Sequence, residues 1–145
     1  MKTFSDPNAT HEFIGPNTVH VSFKASAIFT THLLREIMVA SKAQNGEAPK
    51  AIILSLHDGI DSDRFFKKIS SKSHLIPSET LISLVCLSKV TFNAAQSYLG
   101  KNKPDYPVAV FSDFQRGLDW IEQKLMHSEK VHILPVNKIN VGMTA

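Results

Sequence analysis

His57 and Asp58 sit side by side, directly after the apolar run Ala51 to Leu56. A histidine beside a carboxylate can move a proton, and α/β sheets bind ligands at strand carboxyl ends. The pair is a weak hydrolase alternative, because no nucleophile accompanies it in sequence and a hydrogen-bonded turn explains both residues. Ser62, between Asp61 and Asp63, stands where a helix would begin. A capping serine there is worth about 0.5–2 kcal/mol over alanine. A phosphate on it would add about −1.5 to −2 charges, which a helix N-terminus tolerates. Lys101, Asn102, Lys103 and Tyr106 form a small basic-aromatic loop suited to an acidic partner or to phosphates. Solvated surface lysines are its plainer explanation.

Other chemistries lack their residues. The seven histidines show no metal-ligand spacing, so no metal is expected. Gly59 and Gly100 are isolated, and neither starts a phosphate-binding motif, so no cofactor is expected. Cys86 is the single cysteine and lies in an apolar run, where a thiol behaves as a small hydrophobe. Phe65 and Phe66 are about 100° apart on a helix, so one is expected in the core and the other at the surface. Trp120 falls off its helix's main apolar stripe, at the core margin.

The elements that would position these residues follow from periodicity. Residues 1–10 are a polar lead-in with Pro7 and Asn8. His11 to Ile14 and Thr18 to Phe23 form a hairpin across the Gly15-Pro16-Asn17 turn. Thr30 or Thr31 caps a helix to about Ala43, which Asn45-Gly46 closes. Ala51 to Leu56 and Leu81 to Leu87 have the length of buried strands rather than helices. A short helix starts at Asp61 or Ser62, residues 70–79 form a loop, and another helix starts at Thr91. Gly100 then closes that helix with a positive φ, Pro104 and Pro107 punctuate a loop, and Val108 to Phe111 is a strand. Ser112 with Gln115 makes a capping box for a last helix from Asp113 to about Met126. Its apolar stripe is Phe114, Leu118, Ile121 and Leu125. The order β-β-α-β-α-β-α-β-α predicts an α/β fold with a mainly parallel mixed sheet and a hairpin edge. Residues 1–126 make one domain. Residues 127–145 are a C-terminal extension, with Val131 to Val136 an edge strand or a partner contact.

Bulk properties agree with one soluble domain. The chain has 145 residues, enough for a single core without staples. Sixteen basic residues against thirteen acidic ones give a net charge of +3. No basic run exceeds two residues, which argues against nucleic-acid binding. No apolar run approaches the ~20 residues needed to span a bilayer, and the N-terminus lacks a signal core. With one cysteine, a reducing, cytoplasmic setting is expected.

The stretch Tyr98-Leu99-Gly100, Lys103-Pro104, Tyr106-Pro107, Val110-Phe111-Ser112-Asp113 and Leu118-Asp119-Trp120-Ile121 resembles a group of uncharacterised bacterial STAS-like or SEC14-like proteins. These are related in fold to the SpoIIAA anti-sigma-factor antagonists. The resemblance covers roughly residues 18–124. It implies a SpoIIAA-like sheet with helices packed on one side. It also implies a non-enzymatic regulatory module that docks onto a protein partner. Separately, an exposed edge strand or the tail would allow self-association as a homodimer. Ser62 is the nearest counterpart of the antagonists' phosphorylated serine, in the sequence Asp58-Gly59-Ile60-Asp61-Ser62-Asp63-Arg64 that lacks their paired serine and glycine. The SEC14-like side of the resemblance implies, as an alternative, a small-ligand (lipid or nucleotide) site at the strand ends.

Overall fold

The computed structural model describes residues 3–5, 9–24, 30–57, 60–72 and 75–133. Six strands form one sheet in the order β1-β2-β3-β4-β5-β6. β1 (Thr3–Ser5), β2 (Ala9–Ile14) and β3 (Thr18–Phe23) pair antiparallel. β3, β4 (Ala51–Leu56), β5 (Leu81–Cys86) and β6 (Val108–Phe111) pair parallel. The expected hairpin is thus a three-stranded meander, and the expected lead-in contributes both β1 and the start of β2.

Each parallel step is bridged by a helix: α1 (Thr31–Asn45), α2 (Ser62–Lys72) and α3 (Lys89–Lys101). Crossovers of one hand between successive neighbouring strands must put all three helices on the same face. They do. Leu33, Leu34 and Ile37 of α1, Phe65, Phe66 and Ile69 of α2, and Ala95 of α3 join Val19, Val21, Ile52, Leu54, Leu56, Ile82 and Leu84 in one core. Truncating a buried phenylalanine such as Phe65 costs about 3–5 kcal/mol at sites of this kind.

The expectation that all helices lie on one side is corrected by α4 (Phe114–Ile133). Strand side chains alternate, so Ala51, Ile53, Leu81 and Val85 face away from the main core. They need a second cover. Ile121 is buried among them, with Leu118, Trp120 and Leu125 packed alongside, so α4 closes the opposite face. The helix continues through Val131, so residues 131–133 are helical rather than an edge strand, and the rest of that expected segment lies outside the described residues.

Helix ends show where local signals compete. Thr30 caps α1 by accepting from the Leu33 N–H, and Gly46 ends it at φ 84. The Ser88 hydroxyl, one turn ahead of the expected Thr91, caps α3 by accepting from the Thr91 N–H. Gly100 lies inside α3, which ends at Asn102 with φ −130, so no left-handed closure occurs there. The expected capping box at Ser112 gives way to Asp113, whose carboxylate accepts from the Arg116 N–H at 2.9 Å. A carboxylate at a helix start adds favourable charge to the hydrogen bond. α2 likewise continues to Lys72, into the segment expected as loop.

Candidate functional site

The residues singled out in sequence fall at two opposite ends of the sheet. The loop after β4 opens at the carboxyl end, with His57 exposed and its carbonyl accepting from the Ile60 N–H at 3.1 Å. Asp58 lies outside the described residues, as does Gly59. The loop before β6 opens at the amino end. There Lys101, Asn102 and Lys103 are exposed, while Tyr106 is 5% exposed and belongs to the main core. Burial, with Tyr98 nearby, pushes its phenol up to about 12. His57 and the Lys101, Asn102, Lys103 loop thus lie at opposite ends of the sheet, and Tyr106 of that loop is a core residue. Phe65 and Phe66 are both buried, against the expectation that one is exposed. Phe66 stacks on Tyr98 of α3 at 5.0 Å, which gives the outer-facing ring a partner.

Ser62 is the first residue of α2. Just ahead of it, the Asp61 carboxylate accepts from the Arg64 N–H at 3.3 Å and the Asp61 carbonyl accepts from the Phe65 N–H at 2.9 Å, so Asp61 caps the helix. At the same carboxyl end, one strand over, Leu87 and Val90 flank the start of α3. They are 61% and 77% exposed. Cys86, just inside them, is buried, and burial pushes its thiol up to about 12.

A polar cluster that sequence alone did not flag lies on the face that α4 covers. Antiparallel pairing sets Glu12 of β2 opposite His20 of β3. Parallel pairing sets Ser22 beside Ser55 of β4. All four residues share one face, because alternate strand positions do. Ser55 Oγ lies 2.7 Å from His20 Nε2, and Ser22 Oγ lies 3.5 Å from it. Glu12 Oε1 is 4.0 Å from His20 Nδ1. The ring of Phe114, at the start of α4, stands 4.6 Å from the imidazole. Burial lowers the His20 pKa from its usual 6.5, with Glu12 pulling the other way, so the ring is neutral at pH 7. The Glu12 carboxylate favours a proton on Nδ1, which leaves Nε2 to accept from Ser55. The sequence signals were His20 and Ser22 at strand spacing and Ser55 as the lone polar residue of an apolar run. Neither signal reveals that the two strands pair in this register.

Among the described residues no group of three or more His, Cys, Asp or Glu side chains could hold a metal ion. No described helix is long and apolar enough to cross a membrane. Comparison with protein-family models, with curated proteins and with solved structures found no match.

Proposed function

We propose that this chain is a SpoIIAA-like regulatory domain that works by docking a protein partner at the carboxyl end of its parallel strands. The observation that carries this is the exposure of Leu87 and Val90 at the end where α2 begins at Ser62. Apolar side chains this open to water on a folded domain mark contact surfaces when they cluster. The sequential strand order, with three crossover helices on one face, suits the family that the sequence resembles. Phosphorylation of Ser62 is the switch in this scheme. It would set about −1.5 to −2 charges between Asp61, which caps α2, and Asp63, and so repel an acidic partner or loosen the first turn. The setting is the cytoplasm, which suits a chain with one cysteine.

The test is affinity capture with the full chain, wild type against Leu87→Asp/Val90→Asp, followed by titration of the purified captured partner. Loss of binding by at least tenfold in the double variant, and weakening by Ser62→Asp but not by Ser62→Ala, is the expected pattern. Equal binding by wild type and double variant would remove this surface from the function.

A further inference from the structure

We propose that Ser55 is the nucleophile of an acyl-transfer centre acting on carboxylic esters, with His20 as its general base and Glu12 as the residue that orients His20. The centre stands on the sheet face opposite α1–α3, whereas the docking residues Leu87 and Val90 flank the start of α3.

Three geometric facts carry it. First, Ser55 Oγ lies 2.7 Å from His20 Nε2, well inside the reach a base needs to take the hydroxyl proton. Ser22 is farther, at 3.5 Å, so Ser55 is the nucleophile of the two. Second, a carboxylate stands on the far side of the same ring, Glu12 Oε1 at 4.0 Å from Nδ1. The pair is too long for a hydrogen bond, and the carboxylate acts through its charge, which favours the proton on Nδ1 and stabilises the imidazolium that forms. Third, the place suits chemistry. Ser55 is next to last in β4, near the carboxyl end where α/β sheets bind ligands. α4 packs on β4, β5 and β6, so the β2–β3 strip lies beside the helix, and Glu12, His20, Ser22 and Ser55 are all only partly buried. Phe114 of α4 holds the imidazole from the helix side.

The chemistry balances with water as the only co-reactant. Ser55 Oγ bonds to the ester carbonyl carbon while its proton passes to His20 Nε2. The tetrahedral adduct expels the alkoxide, which takes the Nε2 proton and leaves as the alcohol. Water then gives a proton to Nε2, attacks the acyl carbon and releases the carboxylic acid, and Ser55 recovers its proton from His20. General-base help of this kind contributes about 10²–10⁴-fold.

The experiment treats the full chain with a fluorophosphonate probe and reads intact mass, mapped to a peptide, alongside p-nitrophenyl acetate turnover. One adduct on Ser55, formed with loss of fluoride, is expected, together with turnover. Ser55→Ala abolishes both, and Ser22→Ala keeps both. His20→Gln slows labelling by at least about 100-fold. Glu12→Gln slows labelling more mildly and moves the pH midpoint of its rate, which a merely structural glutamate would not do. If melting shows that His20→Gln has not folded, the wild-type labelling rate decides instead: it must rise with deprotonation of a single group and level off by pH 7. No adduct, an adduct elsewhere, no turnover, or labelling indifferent to folded His20→Gln overturns the proposal.

Discussion

The Ser83 hydroxyl, in the middle of β5, donates to the carbonyl of Gly117 in α4 at 2.9 Å, fully buried. Only a helix with no side chain at that point can come so near. A Cβ on Gly117 would meet Val85 Cγ2 at 3.1 Å and Ser83 at 3.4 Å. The glycine is therefore there for clearance, since its backbone is ordinary helix.

Gly117→Ala sets two effects against each other. Alanine favours a helix by about 1 kcal/mol over glycine, whereas overpacking costs about 1–3 kcal/mol. The contact is with a β-branched valine held in a strand, which has little room to give. A net loss of about 1 kcal/mol is expected, seen as a melting temperature lower by about 3–5 °C. A more stable variant would show that α4 can lift without cost.

Thr30→Ala removes the cap of α1, whose hydroxyl accepts from the Leu33 N–H at 3.1 Å. A loss of about 1 kcal/mol is expected in urea unfolding, with an unchanged slope. Thr30→Ser restores most of it.

Cys86 tests burial directly. Burial pushes its thiol up to about 12 and closes it to reagents. Iodoacetamide at pH 8 is expected to modify the folded chain far more slowly than the chain in denaturing urea. Comparable rates would mean that β5 opens readily.

The pH dependence of stability has a sign set by His20. Its folded pKa is lowered, so the unfolded chain takes up the proton first as pH falls. Stability is therefore full above 6.5, declines as pH drops through that value, and levels below the folded pKa. The charged or polar groups facing the ring are Glu12 from β2, Ser22 of β3 and Ser55 from β4, with the neutral Phe114 from α4. Between pH 7 and pH 5 the melting temperature of the wild type is expected to fall more than that of His20→Gln. Parallel curves would remove His20 as the cause.

Much of the fold was legible because its signals are local. Ile52, Ile53 and Leu54 can only be a strand buried on both faces, and Gly46 can only end a helix where the chain turns left-handed. The side of the sheet on which α4 packs was not legible. The stripe of Phe114, Leu118 and Ile121 says that one side of the helix is buried, but not which face of the sheet receives it. Tyr106 was misplaced for a related reason: a loop rich in lysine and proline hides the one side chain that turns inward. The cluster around His20 was the least legible. It draws residues from three strands, and only the register of β2 on β3 and of β3 on β4 brings Glu12, His20 and Ser55 together.

Strands that neighbour one another in sequence also neighbour one another in the sheet, from β1 to β6 without exception. As the chain leaves the ribosome, each new strand therefore finds a finished edge waiting for it, and no strand waits for a later one to be slotted in between. Loop closure never spans more than one βα unit, which keeps its entropic cost small at every step. The exception is the strip of Ala51, Ile53, Leu81 and Val85. It is complete once β5 has paired, yet it stays bare until α4, after the last strand, emerges to lie across it. In that interval the apolar face of β4 and β5 stands open to water.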